Sequence, residues 1–262
     1  MEPTVGEHRG PDSVTADSPA VQLPDGPLGG LRVVEFGQLL AGPYVGTLLG
    51  DFGAEVVKVE PPPRGDAMRD WGRLRHNGHS MWWSILARNK RSVTLNLRLE
   101  AGQRIARRLA ERADIVLENF RPGTMERWGL GPADLHELNP RLIYARVTGY
   151  GQTGSYRDRP GFAAASEAIS GLRYINGYPD QAPPRYGISI GDTLAAQSAF
   201  TGIVLALYAR DARGAEGQVV DASITDACFA VTESAILEYE KTGVIREPTG
   251  TRLPRLTRFH RL

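Results

Sequence analysis

The sequence predicts an α/β fold: a Rossmann-like, mostly parallel sheet with flanking helices. Two observations carry this expectation. Short β-branched runs, LRVVEF (31–36), EVVKVE (55–60), SVTLNL (92–97), DIVLEN (114–119) and LIYARV (142–147), recur along the chain. Several are separated by stretches with apolar residues at helical spacing, and strands alternating with helices at these lengths form parallel sheets with buried strands. The composition fits a packed domain: of 262 residues, 41% are apolar and 23% charged, which excludes wholesale disorder or a fibrous repeat.

Residues 1–28 mix Pro, Gly, Ser, Asp and Thr with almost no apolar periodicity, the composition of a solvated tail, so the fold is expected to begin at Leu31. After strand 31–36, Tyr44, Leu48 and Leu49 fall at helical spacing before Gly53, and strand 55–60 completes a strand–helix–strand unit. A second unit runs from strand 92–97 through a helix over 100–113, with Ile105, Leu109 and Ala113 on one face, to strand 114–119. The turn at Asn139 and Pro140 leads into strand 142–147. Residues 163–172 read as a helix, and a long helix from Asp192 repeats Phe200, Ile203, Val204 and Leu207 as i, i+3, i+4, i+7. QVVDAS (218–223) reads as a strand before a helix over 224–241 stopped by Gly243. Right-handed crossovers are expected throughout.

Charge and cysteine content narrow the function classes. Lys and Arg total 31 against 30 Asp and Glu. The first 28 residues carry Glu2, Glu7, Asp12, Asp17 and Asp25 against Arg9, and Arg252, Arg255, Arg258 and Arg261 end the chain without an acid. The stretch between is nearly neutral, so no broad basic field recruits nucleic acid, and any anion site is local. Cys228 is the one cysteine, which excludes an internal disulfide and a multi-thiolate metal site and fits a reduced, cytoplasmic setting. No secretory leader is visible, and no run approaches the roughly 20 apolar residues of a membrane span, so no membrane partner is expected.

Few motifs carry chemistry. GYGQTG (149–154) matches G-x-G-x-x-G after a strand, but Pro160 stops any helix behind it, so it reads as a glycine-rich loop rather than a dinucleotide site. His76 and His79 have no third ligand nearby, Ser170 lacks the nucleophile-elbow frame, and Cys228 sits in an apolar stretch as a small hydrophobe. Asp192, at the start of the long helix, reads first as an N-cap, held ionised by the helix dipole; a carboxylate so placed is also a candidate covalent nucleophile.

LLAGPYVGTLLGDFGAEVVKVEPP, RNKRSVTLNL, DIVLENFRPGTMERWGL, LNPRLIYARVTGYGQTG, ISIGDTLAA and GQVVDASITDA, in this order, resemble the family III CoA transferases of the formyl-CoA transferase and carnitine CoA-transferase (CaiB/BaiF) type. The resemblance implies an acyl-CoA:carboxylate CoA-transferase that forms anhydride and aspartyl-CoA thioester intermediates on Asp192. A coenzyme A thioester enters as substrate, with no tightly bound cofactor and no metal. The partners implied are an acyl-CoA donor and a carboxylic acid acceptor, with succinate or malate as a dicarboxylic guess. By resemblance, the CoA-contacting positions are Leu39, Leu40, Ala41, Leu95, Asn96, Asn119, Phe120, Arg127 and Trp128, with Lys90 and Arg91 as further phosphate contacts. Glu167 is a candidate for positioning nearby groups, with a surface helix residue as the bland alternative, and Arg185 is a candidate partner for an acceptor carboxylate.

Three departures from the family pattern bear on function. Leu40 stands where some members place a glutamine beside the thioester, leaving backbone N–H groups to serve. Phe162 stands where the related alpha-methylacyl-CoA racemases place a histidine base, which disfavours a racemase. Family members are half as long again, so a C-terminally truncated chain is expected, with the second small domain largely missing. That leaves an inactive CoA-binding remnant as an alternative. The divisions implied are a tail (1–28), a large domain (29–225) and a helix and linker (226–262), with an interlocked homodimer for the full-length protein.

Overall fold

The computed structural model of the protein describes residues 26–251. Six strands form one parallel sheet: β1 (Arg32–Glu35), β2 (Glu55–Glu60), β5 (Lys90–Thr94), β6 (Ile115–Glu118), β7 (Ile143–Thr148) and β8 (Val219–Ser223). Their order is β5-β2-β1-β6-β7-β8, which counted within the sheet is 3-2-1-4-5-6, the doubly wound Rossmann arrangement. A two-stranded antiparallel ribbon, β3 (Arg75–His76) with β4 (His79–Ser80), lies between β2 and β5 in sequence.

Helices cover both faces. On one side α1 (Ala41–Asp51), α6 (Ala163–Ile169), α7 (Ile190–Arg213) and α8 (Ile224–Ala230) enclose a core that includes Val45, Leu49, Ile115, Ile143 and Ile203. On the other, α3 (Glu100–Ala110), α4 (Thr124–Arg127) and α5 (Pro132–Leu138) enclose Val34, Phe36, Met125, Leu135 and Tyr144. The short α2 (Met81–Leu86) follows the ribbon, and α9 (Ala235–Thr242) is the last described helix.

The expected strands and helices recur, with instructive differences. Strand 92–97 is displaced to Lys90–Thr94, because beyond Thr94 the chain turns: Asn96 accepts from the Leu99 amide through its carbonyl and from the Arg98 amide through its side chain. In α3 the buried face is Gly102, Ala106 and Ala110, while Ile105 is exposed, because small residues allow close approach to the sheet. The seam of α7 is likewise built from Ala195, Ala196, Ala199 and Ala206 with Ile203 and Leu207, whereas Val204 faces outward. The helix expected over 224–241 is two helices, broken by a turn in which Glu233 takes a left-handed φ of 58°. Ordered packing also begins before Leu31, since the Leu28 amide donates to the Phe52 carbonyl at 2.9 Å. Residues 1–25 of the expected tail and the arginine-rich end (252–262) lie outside the described residues.

Among the described residues α7, 24 residues long with an 18-residue window of mean hydropathy 1.4, has the length and composition of a membrane span, a run not expected from the sequence. Its alanine seam is packed on the sheet, which accounts for the buried 39% of that window, while Val204, Leu205 and Tyr208 face outward.

Two strand pairs carry charge into the sheet. Glu35 of β1 is in register with Lys58 of β2, and Glu118 of β6 with Arg146 of β7. The Arg146 guanidinium bonds Glu118 and Glu126, each at 2.7 Å. Burial pushes the Glu118 carboxyl up to about 7 against the pull of Arg146.

Candidate active site

Parallel sheets of this order bind ligands outside the carboxyl ends of the strands, where the strand order reverses, here between β1 and β6. A cavity of about 380 Å³ lies there. Leu39–Ala41 after β1, Asn119 after β6, Val147–Gly149 at the end of β7, and Glu167 and Asp192 from α6 and α7 all line it.

Asp192 is the third residue of α7, not its cap. The cap role falls to Glu167, whose Oε1 accepts the Gly191 amide at 3.2 Å across the α6–α7 contact. Glu167 is buried, not a surface residue, and among the described residues its Oε2 has no hydrogen-bond partner; Thr148 Oγ1 at the cavity wall is likewise unpaired among them. Asp192 makes no hydrogen bond or ion pair among the described residues. Burial and the neighbouring Glu167 charge push its carboxyl up to about 6. The expected dipole-held, strongly ionised carboxylate is therefore corrected: desolvation and a like charge outweigh the dipole. Gly191 has a steric reason, since a Cβ there meets Cys228 Sγ, Glu167 Cγ and Ile224 Cγ2, each at 3.2 Å. Cys228 is buried as expected, its thiol pushed up to about 11 by burial and the Glu167 charge.

Backbone donors line the same cavity. Leu40 is the N-cap of α1 without a side-chain bond, and no acidic residue occupies the first turn, so the Ala41 N–H at the cavity and the adjoining Gly42 N–H have no intrahelical partner. The loop before them is clamped by Asn119, whose Oδ1 accepts the Gln38 amide and whose Nδ2 donates to the Gln38 carbonyl, both at 2.8 Å.

Of the other CoA-contacting positions implied by the resemblance, Lys90, Arg91, Leu95, Asn96, Phe120, Arg127 and Trp128 do not line the cavity. Lys90 is not a free phosphate contact: its side chain is 2% exposed, and its ammonium is ion-paired to Glu35 Oε2 at 2.8 Å and bonded to the Pro43 carbonyl. A buried cation needs such partners. Arg91 is exposed and paired with Glu55. Leu95 packs on the α3 side of the sheet, and Asn96 caps the turn into α3. Phe120 and Trp128 pack edge to face at 5.4 Å against the same core, and Arg127 is exposed, bonding Thr124 Oγ1 at 3.0 Å. Arg185 lines the cavity with no ion pair of its own among the described residues. Sequence reasoning missed Met68, Trp71 and Trp82, which form a further wall. They sit in a glycine-rich stretch without periodicity, where only the Met81-Trp82-Trp83 cluster hinted at a packed surface.

Fold and site together define a doubly wound α/β protein whose switch-point cavity is lined by both a carboxylate and a helix N-terminus. A family model for CoA-transferase family III matches residues 28–261, and the chain belongs to that family. A succinyl-CoA–D-citramalate CoA-transferase of Chloroflexus aurantiacus is 56% identical over 233 residues, covering 89% of this chain and 58% of that one. A succinyl-CoA–L-malate CoA-transferase beta subunit from the same organism is 43% identical, covering 86% and 56%. The crystal structure of a CaiB/BaiF family protein from Brucella suis superimposes with a TM-score of 0.84 at 35% identity, covering 90% of this chain and 63% of that one. The chain thus spans a little over half the length of the curated relatives it matches.

Proposed function

We propose that the protein moves CoA from an acyl-CoA donor to a carboxylic acid, with Asp192 as the covalent nucleophile. The observation that carries this reading is an unpartnered carboxylate facing a cavity at the switch point, beside a helix start with free N–H groups. The Asp192 carboxylate attacks the thioester carbonyl, forming a mixed anhydride and releasing CoA thiolate. The developing oxyanion meets the Ala41 and Gly42 N–H groups, which take the place of the side-chain donor absent at Leu40. The thiolate attacks the aspartyl carbonyl, giving aspartyl-CoA thioester and the free acid. An acceptor carboxylate then attacks that thioester, and the thiolate attacks the acceptor's acyl carbon, restoring Asp192. Phe162 at the cavity supplies no proton acceptor, so no observation favours the racemase. The exposed apolar side chains of α7 and α9, including Leu205, Tyr208, Ile236 and Leu237, support pairing with a second copy.

Incubation with succinyl-CoA followed by intact-mass analysis tests the reading: a CoA-sized or succinyl-sized adduct is expected, and a chain that binds CoA without gaining one is an inactive remnant. The attacking form is the carboxylate, so adduct formation is expected to fall tenfold per pH unit below an inflection near 6. Glu167→Gln removes the like charge, and the inflection is expected to move to lower pH. Single-turnover rates measured from about pH 5 to about pH 8 check both.

Relatives named for citramalate and malate support a dicarboxylic acceptor, and Arg185 is the cation at the cavity free to hold its distal carboxylate. Arg185→Gln is expected to raise KM for succinate or malate about 10- to 100-fold while kcat stays within about threefold. Steady-state kinetics against a monocarboxylate control, whose KM is expected not to move, decides it.

A further inference from the structure

Leu39 takes a left-handed φ of 63°, a conformation that costs a leucine free energy and persists only where the surroundings hold it. Its amide donates to Asp66 Oδ1 at 3.0 Å, and the same oxygen accepts the Met68 amide at 2.9 Å. Leu39 and Met68 are both cavity-lining residues on different segments of the chain, so one carboxylate oxygen ties two walls of the site together. Asp66 itself is 1% exposed and does not line the cavity.

Behind it stands a charge network that fixes its position. Asp66 Oδ2 is 2.8 Å from Lys58 Nζ, which also binds Glu35 Oε1 at 2.8 Å and the Gly37 carbonyl at 2.7 Å. The Asp66 amide donates to Glu60 Oε2 at 2.8 Å, and Arg69 grips that carboxylate with two bonds of 2.7 Å. The loop between β1 and α1 is therefore held from both flanks, by Asn119 at Gln38 and by Asp66 at Leu39.

We propose that Asp66 is a positioning residue: it holds Leu39 in the left-handed conformation and thereby aims the Leu40–Gly42 backbone at the reacting thioester carbonyl. The kinetic consequence rests on the transferase reading, while the clamp rests on geometry alone. Preorganised backbone donors act only when fixed, since a shift of about 1 Å costs on the order of 10²-fold in rate.

Asp66→Ala, Asp66→Asn and the double variant Asp66→Ala with Leu39→Gly test this. Hydrogen exchange at residues 37–42 is expected to quicken at least about tenfold in Asp66→Ala while exchange in β1, β6 and β7 is unchanged. Asp66→Asn keeps an acceptor oxygen for both amides and is expected to lie between Asp66→Ala and the parent, so the decision does not depend on the alanine variant folding. With succinyl-CoA, the adduct rate is expected to fall about 30- to 100-fold in Asp66→Ala with CoA affinity within about threefold of the parent. Leu39→Gly, which removes the left-handed penalty, is expected to recover about fivefold of it. Unchanged exchange at 37–42 in both single variants, or protection lost uniformly through the sheet, would overturn the proposal. If the parent chain forms no adduct, the transferase reading fails and the exchange measurement alone decides the clamp.

Discussion

Asp192→Ala is expected to abolish adduct formation and to lower transfer from succinyl-CoA to a dicarboxylate by at least about 10⁴-fold. The cavity holds one other carboxylate, Glu167, but that group is committed to capping α7 through the Gly191 amide and lies deeper in the packing. It cannot substitute without uncapping the helix that presents Asp192. Asp192→Glu keeps a carboxylate and moves it by one methylene, which is expected to cost about 10²-fold through misplacement. Among the described residues the Asp192 side chain supports no neighbour by hydrogen bond or ion pair, and its ionised form is disfavoured by burial and the Glu167 charge, so Asp192→Ala is not expected to melt below the parent protein. Activity above about 1% of the parent in Asp192→Ala would mean that CoA passes directly between acids without an aspartyl intermediate.

The second large effect concerns stability. Lys58→Met is expected to cost about 3–5 kcal/mol, because it leaves the Glu35 and Asp66 carboxylates buried with a cation removed. The side chains of Lys58, Glu35 and Asp66 are 2%, 0% and 1% exposed. Burial pulls the Lys58 ammonium down, but the Glu35 and Asp66 charges outweigh it and the net shift is upward. A lysine raised in the folded state contributes its stability fully below its unfolded pKa and loses it as pH rises through the folded value, so the whole effect is present at neutral pH. Lys90 remains paired to Glu35 Oε2 and limits the loss without replacing the contact to Asp66. Arg91→Ala, which breaks an exposed pair with Glu55, is expected to change stability by less than about 1 kcal/mol. Urea titration of the two variants against the parent measures the contrast, and equal midpoints would refute the assignment of stability to the buried network.

These two residues were legible in different degrees. Asp192 stood out in the sequence, because a carboxylate at the head of a long apolar helix is conspicuous and the flanking motifs resemble one family. The wrong inference was its state: at Asp192 the carboxyl is pushed up, and the cap is Glu167 on another helix, 25 positions earlier in the chain. Lys90 was misjudged for a related reason. A KR pair after a loop looks like a solvated turn, and nothing local reveals that Glu35 and the Pro43 carbonyl wait above it. Trp71, Trp82 and Met68 carry no periodic signal and become part of a cavity wall only in the folded chain, beside Leu39–Ala41.

Local sequence determined the strand–helix alternation, the parallel class of the sheet and the candidate nucleophile, because β-branched runs, helical spacing and turn residues act within a few residues of one another. Tertiary structure alone decided the strand order, the switch point at which the cavity opens, and which buried charge meets which. Glu35 and Lys58, and Glu118 and Arg146, are neighbours because strand register places them side by side. Register is settled by the long-range fit of the whole core, and a buried charge is tolerated only where that fit supplies its partner.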